Sequence, residues 1–172
     1  IEGEIPDWMA RWELAQVLSF AKRYDESVAE YRKVIKERPA LYKARVELAN
    51  VLFWSGKPDE ALQELQRVPA DRIDEDTKIL LADLYRSQKN YQKAEPLYTE
   101  YLKTHPGDHQ VRLKLAEMLS WLQRYDESLA EYETILKAQP DDIQVRRKYA
   151  FVLRWAGRYS EAIEELRKTL KE

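Results

Sequence analysis

The stretch Leu115-Ala116-Glu117-Met118-Leu119-Ser120-Trp121-Leu122-Gln123-Arg124-Tyr125-Asp126-Glu127-Ser128 decides the fold, because its pattern occurs five times in the chain. An Ala follows a large apolar residue at Leu14-Ala15, Leu48-Ala49, Leu81-Ala82, Leu115-Ala116 and Tyr149-Ala150, and the steps between the alanines are 34, 33, 34 and 34 residues. A fixed period of this kind marks a stacked repeat. Three residues past each Ala comes Leu18, Leu52, Tyr85, Leu119 or Leu153, and then a turn. A second apolar segment opens with Tyr24, Pro58, Tyr91, Tyr125 or Tyr159 and carries Ser27, Ala61, Ala94, Ser128 or Ala162 three positions later. Seven positions after its first residue it is expected to bury Tyr31, Leu65, Tyr98, Tyr132 or Leu166. Pro39, Pro106 and Pro140 close three of the units, since proline disfavours helical geometry in the residue before it.

Small residues are needed where two helices of a hairpin approach closely, and aromatics fill the wedge between one hairpin and the next. The pattern therefore predicts an all-α chain of antiparallel helix-turn-helix hairpins. Composition agrees: with 4 Gly in 172 residues there are few candidates for tight turns between strands, and strong helix formers fill most positions. The 29 basic and 31 acidic residues are interspersed and nearly cancel, which removes the basic footprint a nucleic-acid partner requires. Without Cys there is no disulfide framework or thiol nucleophile. No apolar run reaches the ~20 residues of a membrane-spanning helix, and Ile1-Glu2-Gly3-Glu4-Ile5-Pro6 does not read as a signal peptide.

This residue set at this period resembles the tetratricopeptide repeat (TPR) family from about Trp8 to Leu170. The resemblance implies a right-handed α-solenoid of five antiparallel hairpins, read as one domain over residues 1–172 with repeats at about 8–41, 42–74, 75–108, 109–142 and 143–172. Two departures stand out. The second unit is a residue short and ends in Val68-Pro69-Ala70-Asp71-Arg72-Ile73-Asp74, so its second helix is expected to stop about a turn sooner than the others. Pro96 falls inside the third unit's second helix, where it removes one backbone hydrogen bond. Pro6-Asp7 looks like the closing edge of an earlier unit, there is no initial Met, and the chain stops at Lys171-Glu172 directly after the fifth unit. Arrays of this family finish with an extra polar helix, so a longer parent chain is expected on both sides.

At about 100° per residue, the Leu-Ala pair of each first helix falls on the hairpin core. The opposite side, which in the family lines the concave groove, carries Phe20, Trp54, Ser87, Trp121 and Trp155 in the last turn. One turn earlier come Gln16, Asn50, Asp83, Glu117 and Phe151, and before them Trp12, Val46, Ile79, Leu113 and Arg147. Ser19, Phe53, Arg86, Ser120 and Arg154 complete the rim. The candidate binding residues are thus Trp12, Gln16, Phe20, Asn50, Phe53, Trp54, Asp83, Arg86, Glu117, Trp121, Phe151, Arg154 and Trp155. Rings at one repeat spacing, interleaved with amides and carboxylates, can hold apolar peptide side chains or stack on sugars. They can equally pack against the neighbouring unit's first helix, and the two roles are compatible for a ring with one face covered.

Catalytic chemistry is not visible. Asp141-Asp142 and Glu164-Glu165 are expected at helix starts or on solvated faces, where the helix dipole accounts for the former. His105 and His109 flank a turn without further convergent ligands, so no metal and no cofactor is expected. No phosphate loop, Ser-centred elbow or His-Glu-x-x-His helix occurs, which points away from an enzyme.

The family resemblance implies a scaffold that recognises a protein segment. Relatives that hold acidic chaperone tails use Lys and Asn, then Asn, Lys and Arg, on successive first helices. Here the corresponding positions are Trp12 and Gln16, then Val46 and Asn50, so a cationic cradle is not expected. The phrases Leu52-Phe53-Trp54-Ser55-Gly56-Lys57, Leu119-Ser120-Trp121-Leu122-Gln123-Arg124-Tyr125 and Leu153-Arg154-Trp155-Ala156-Gly157-Arg158-Tyr159 are similar to periplasmic TPR arrays of bacterial exopolysaccharide-export proteins. That similarity implies contact with the polymer or its modifying enzymes. A third expectation is self-association through the ends of the solenoid. A soluble chain of the bacterial periplasm or cytoplasm is compatible with the sequence, without membrane insertion.

Overall fold

The computed structural model describes residues 6–170. The expectations attached to residues 1–5 and to Lys171-Glu172 lie outside these described residues. Among the described residues there are ten α-helices and no strand: α1 (Asp7–Phe20), α2 (Tyr24–Glu37), α3 (Tyr42–Trp54), α4 (Pro58–Leu65), α5 (Glu75–Ser87), α6 (Tyr91–Thr104), α7 (His109–Trp121), α8 (Tyr125–Ala138), α9 (Ile143–Trp155) and α10 (Tyr159–Arg167). A short 3-10 turn, Ala70–Arg72, precedes α5. Packing divides the chain into two compact units, one ending at Ala94 and the other beginning at Glu95. In the first, α1 packs on α2, α2 on α3, α3 on α4 and α4 on α5. In the second, α7 packs on α8, α8 on α9 and α9 on α10.

Each hairpin is closed by the small residues singled out in the sequence. Ala15, Ala49, Ala82, Ala116 and Ala150 are buried, as are Ser27, Ala61, Ala94, Ser128 and Ala162 on the second helices. Where the small residue is Ser, its hydroxyl is satisfied across the crossing: Ser27 Oγ donates to the Ala15 carbonyl and Ser128 Oγ to the Ala116 carbonyl, both at 2.7 Å. A buried hydroxyl without such a partner would be destabilising by ~1–3 kcal/mol. Tyr31 and Tyr132 pack in the cores of their units beside these crossings, and they and Tyr98 are almost wholly buried.

The turn inside every hairpin has the same backbone. Lys22, Gly56, Lys89, Gln123 and Gly157 occupy equivalent positions and all have positive φ, between 59° and 79°. The next residue's N–H returns to a carbonyl five residues back, as from Arg23 to Leu18 and from Arg158 to Leu153, at 2.9 Å in both. This is the double closure of a Schellman motif, which satisfies carbonyls the helix end leaves open. Only two of the five left-handed positions are Gly.

A repeated ion pair locks the two helices of four hairpins at a constant spacing of 19 residues. Arg11 meets Glu30 at 3.2 Å, Arg45 meets Glu64 at 2.6 Å, Arg112 meets Glu131 at 2.5 Å, and Arg146 meets Glu165. The expectation that Glu164-Glu165 sits on a solvated face is therefore corrected for Glu165, whose side chain is 16% exposed and also receives Lys168. Asp142, by contrast, caps α9 by accepting from the Val145 N–H.

Further corrections come from neighbours that the helical period alone cannot supply. Leu14 is 47% exposed while Leu48 at the same repeat position is 1% exposed, because that position faces the preceding hairpin and no described hairpin precedes α1. Leu166 was expected to be buried and is 36% exposed, since among the described residues no helix packs on it as α3 packs on Tyr31. Helix α4 is short as expected, with 8 residues against 14 in α2. Helix α6 runs through Pro96 for 14 residues, leaving the Gln92 carbonyl without its helical donor.

The left-handed turn positions generate a stability prediction. Gln123→Gly removes the steric penalty of a side chain at positive φ and should raise stability by about 0.5–1 kcal/mol, whereas Gly157→Ala should lower it by about 1 kcal/mol. A Cβ on Gly157 meets no atom within 4 Å, so the cost is conformational alone. Urea denaturation of both variants checks the pair of opposite signs.

Candidate functional site

Two pockets occupy the same place in the repeat, one in each unit. In the first unit, a hollow of about 360 Å³ is lined by Gln16, Ser19, Phe20 and Tyr31 of one hairpin and by Glu47, Asn50, Val51 and Trp54 of the next. In the second, one of about 210 Å³ is lined by Glu117, Ser120, Trp121 and Tyr132, then Lys148, Phe151, Val152 and Trp155. Counted from the Ala of each first helix, the eight positions coincide one for one. The pocket is thus a property of the repeat: two first helices lie side by side, their last-turn rings project, and the buried Tyr of the second helix forms the floor.

The rings are open. Phe20 is 85% exposed, Trp54 57%, and Trp121 and Trp155 50% each, so packing between repeats does not consume them. Of the thirteen sequence-predicted residues, Gln16, Phe20, Asn50 and Trp54 come together in the first pocket and Glu117, Trp121, Phe151 and Trp155 in the second. Trp12 stands just behind the first, donating from Nε1 to Glu47 at 2.6 Å. Phe53 lines neither pocket and packs, half-buried, against the core of the first unit. Arg154 stacks over the Phe151 ring at 5.3 Å and lines neither pocket. Asp83 and Arg86 lie on α5, 3.9 Å apart, and also line neither, because α5 contributes no residue to either pocket.

Sequence reading missed the floor and the charged wall. Tyr31 and Tyr132 were assigned wholly to the core, yet their phenol ends reach the pockets. Glu47 and Lys148 stand two residues before the repeat Ala, a position the groove reading did not include. The signal was present in the period: this position lies one turn before Asn50 and Phe151 on the same helix side.

Burial raises the Tyr31 phenol well above the ordinary tyrosine range, and its hydrogen bond to Glu47 at 3.0 Å adds to the shift. Burial, then the Glu117 charge, raises Tyr132 in the same direction. Tyr149 is raised by burial and by its 2.9 Å bond to Glu133. Elsewhere, His105 stacks on Tyr101 at 4.3 Å. Among the described residues no group of three His, Asp or Glu side chains could hold a metal ion, and no helix is long and apolar enough to cross a membrane.

The phenols carry a pH prediction. A folded-state value above the unfolded one favours the protonated, folded form, so these groups stabilise fully below about pH 10 and that contribution is lost as pH rises beyond it. Stability should decline above that point, and a spectrophotometric titration should show Tyr31, Tyr132 and Tyr149 ionising only with loss of helical circular dichroism. Reversible ionisation of all 11 tyrosines with the helices intact would contradict the burial of these phenols.

A family model described as "Tetratricopeptide repeat" matches residues 18–84 and 85–150. No curated protein matches the chain. Among solved structures, a MamA structure of MSR-1 is 23% identical, with 94% of each chain covered and a TM-score of 0.82. A MamA structure of AMB-1 is 24% identical, covering 94% of this chain and 96% of that one, with a TM-score of 0.80. YrrB, described as "a TPR protein with an unusual peptide-binding site", is 16% identical over 95% of this chain and 84% of its own, with a TM-score of 0.80. None of these three is described as a polysaccharide-export protein. At these identities the likeness establishes the shared fold.

Proposed function

Because the chain belongs to the tetratricopeptide repeat family, we propose that it is a non-catalytic scaffold that binds a segment of a partner protein, seating partner side chains in the two inter-hairpin pockets. The observation that carries this reading is the recurrence of one pocket at eight matching repeat positions, with two exposed rings, Phe20 and Trp54, in the first and three, Trp121, Phe151 and Trp155, in the second. Open aromatic side chains over a buried polar floor offer apolar contact and an orienting hydrogen bond together, the combination that peptide-binding sites use. Volumes of about 360 and 210 Å³ fall at or below the lower end of small-ligand pockets, ~300 Å³, and suit single side chains better than a whole cofactor. The description of YrrB as having a peptide-binding site supports the same class of ligand.

Selection from a random peptide library, followed by calorimetry, tests the proposal. Trp121→Ala and Trp155→Ala are each expected to weaken a selected peptide about tenfold or more, in the range of buried aromatic anchors, with helical content unchanged. Acidic and neutral polysaccharides titrated in parallel should leave tryptophan emission unaltered. A saturable sugar response lost in the same two variants, without any peptide binder, would replace this reading with the polysaccharide one.

A further inference from the structure

The two pockets match in shape and differ in charge. In the first, Glu47 is the one charged side chain of the lining, and three neutral donors hold its carboxylate. Its Oε2 accepts from Trp12 Nε1 at 2.6 Å, Tyr31 OH at 3.0 Å and Gln16 Nε2 at 3.1 Å, while Oε1 receives only Gln16 Nε2, at 3.3 Å. No cation of the described residues pairs with it. Arg45 is engaged by Glu64 at 2.6 Å, and Lys43, one turn earlier on α3, stands over the Trp12 ring, 5.8 Å from its centroid. A carboxylate with four acceptor sites, one oxygen crowded and the other nearly open, beside the rings of Phe20 and Trp54, is built to receive a positive charge. The aromatic faces add cation–π attraction to the Coulomb term, and partial desolvation strengthens both.

The second pocket shows the same geometry already filled from within. There the Glu47 position is Lys148, whose ammonium lies on the Glu117 carboxylate among Trp121, Phe151 and Trp155. The carboxylate has moved to the neighbouring hairpin and the chain supplies its own cation, so the lining is neutral. We propose that the first unit's pocket is the charge-selective one, taking a lysine or arginine side chain of the partner, with Glu47 Oε1 as its acceptor and Phe20 and Trp54 as its walls. This rests on the segment-binding reading above and assigns it a chemistry: the partner segment is basic at the residue that enters the first pocket.

The experiment uses the whole chain with ¹⁵N-labelled indoles. N-acetyl-lysine amide, N-acetyl-arginine amide and the uncharged N-acetyl-norleucine amide are titrated while the Trp12, Trp54 and Trp155 resonances are followed. The charged amides are expected to shift Trp12 and Trp54 saturably, at least tenfold more tightly than norleucine, with the preference falling as salt is added. Glu47→Gln keeps an acceptor for Trp12 and Tyr31 and should erase the preference. Phe20→Ala, at a residue already open to solvent, should weaken it without altering the fold. Lys148→Ala removes the cation that lies on Glu117 and should make Trp155 respond to the lysine amide as Trp54 does. Equal response to norleucine, survival of the preference in Glu47→Gln, or no response to any amide would overturn the proposal. If in addition no library peptide binds in a Trp121- and Trp155-dependent way, the segment-binding reading fails as well; if such a peptide does bind, only the charge selectivity fails.

Discussion

Everything in this chain depends on the close crossing of two helices at a pair of small residues. Ala15 against Ser27, and Ala116 against Ser128, bring the backbones near enough for a serine hydroxyl to reach the opposing carbonyl at 2.7 Å. A larger side chain at either member would force the helices apart at a cost of ~1–3 kcal/mol, and with them the aromatic floor above. The crossing fixes the rotation of each helix, and the left-handed turn at Lys22, Gly56, Lys89, Gln123 and Gly157 fixes where the second helix begins. With both set, consecutive hairpins within each unit present the same repeat positions to one another, and each unit builds its own core from them.

The pockets inherit that register. Their walls come from the last turn of consecutive first helices and their floor from the Tyr seven residues into the second helix, so no loop conformation is needed to assemble them. Rigid elements hold functional side chains more narrowly than loops do. The free variables are the residues at the eight lining positions, and two of these decide the electrostatics. Gln16 with Glu47 makes a pocket with a net negative charge; Glu117 with Lys148 makes a neutral one. One scaffold geometry thereby supports two ligand preferences, as expected when function resides in side chains grafted on a shared fold.

The period, the hairpins, the starts of the second helices and the ring positions were legible in the sequence, because each rests on local spacing. Tyr24, Pro58, Tyr91, Tyr125 and Tyr159 open helices as expected, and Phe20, Trp54, Trp121 and Trp155 project as the helical angle requires. What was not legible depends on neighbours across hairpins. Leu14 and Leu48 are the same residue at the same repeat position, yet one is exposed and the other buried. Phe53 and Arg154 share a rim position, but the first turns into the core and the second covers Phe151. The ion pairs 19 residues apart went unread because charged side chains at helix surfaces look alike until the opposing helix is in place. Tyr31 illustrates the limit of a binary core-or-surface reading: its ring belongs to the core and its hydroxyl to the site.

The central claim is that partner segments contact the projecting rings of consecutive first helices. Hydroxyl-radical footprinting of the chain with and without a bound library-selected peptide, read residue by residue by mass spectrometry, tests it most directly. The account predicts protection of Phe20 and Trp54, of Trp121 and Trp155, or of both pairs, with Tyr159 and Leu170 on the last hairpin oxidised equally in the free and bound states. Protection confined to second-helix surfaces, with all four rings as reactive as in the free chain, would contradict it.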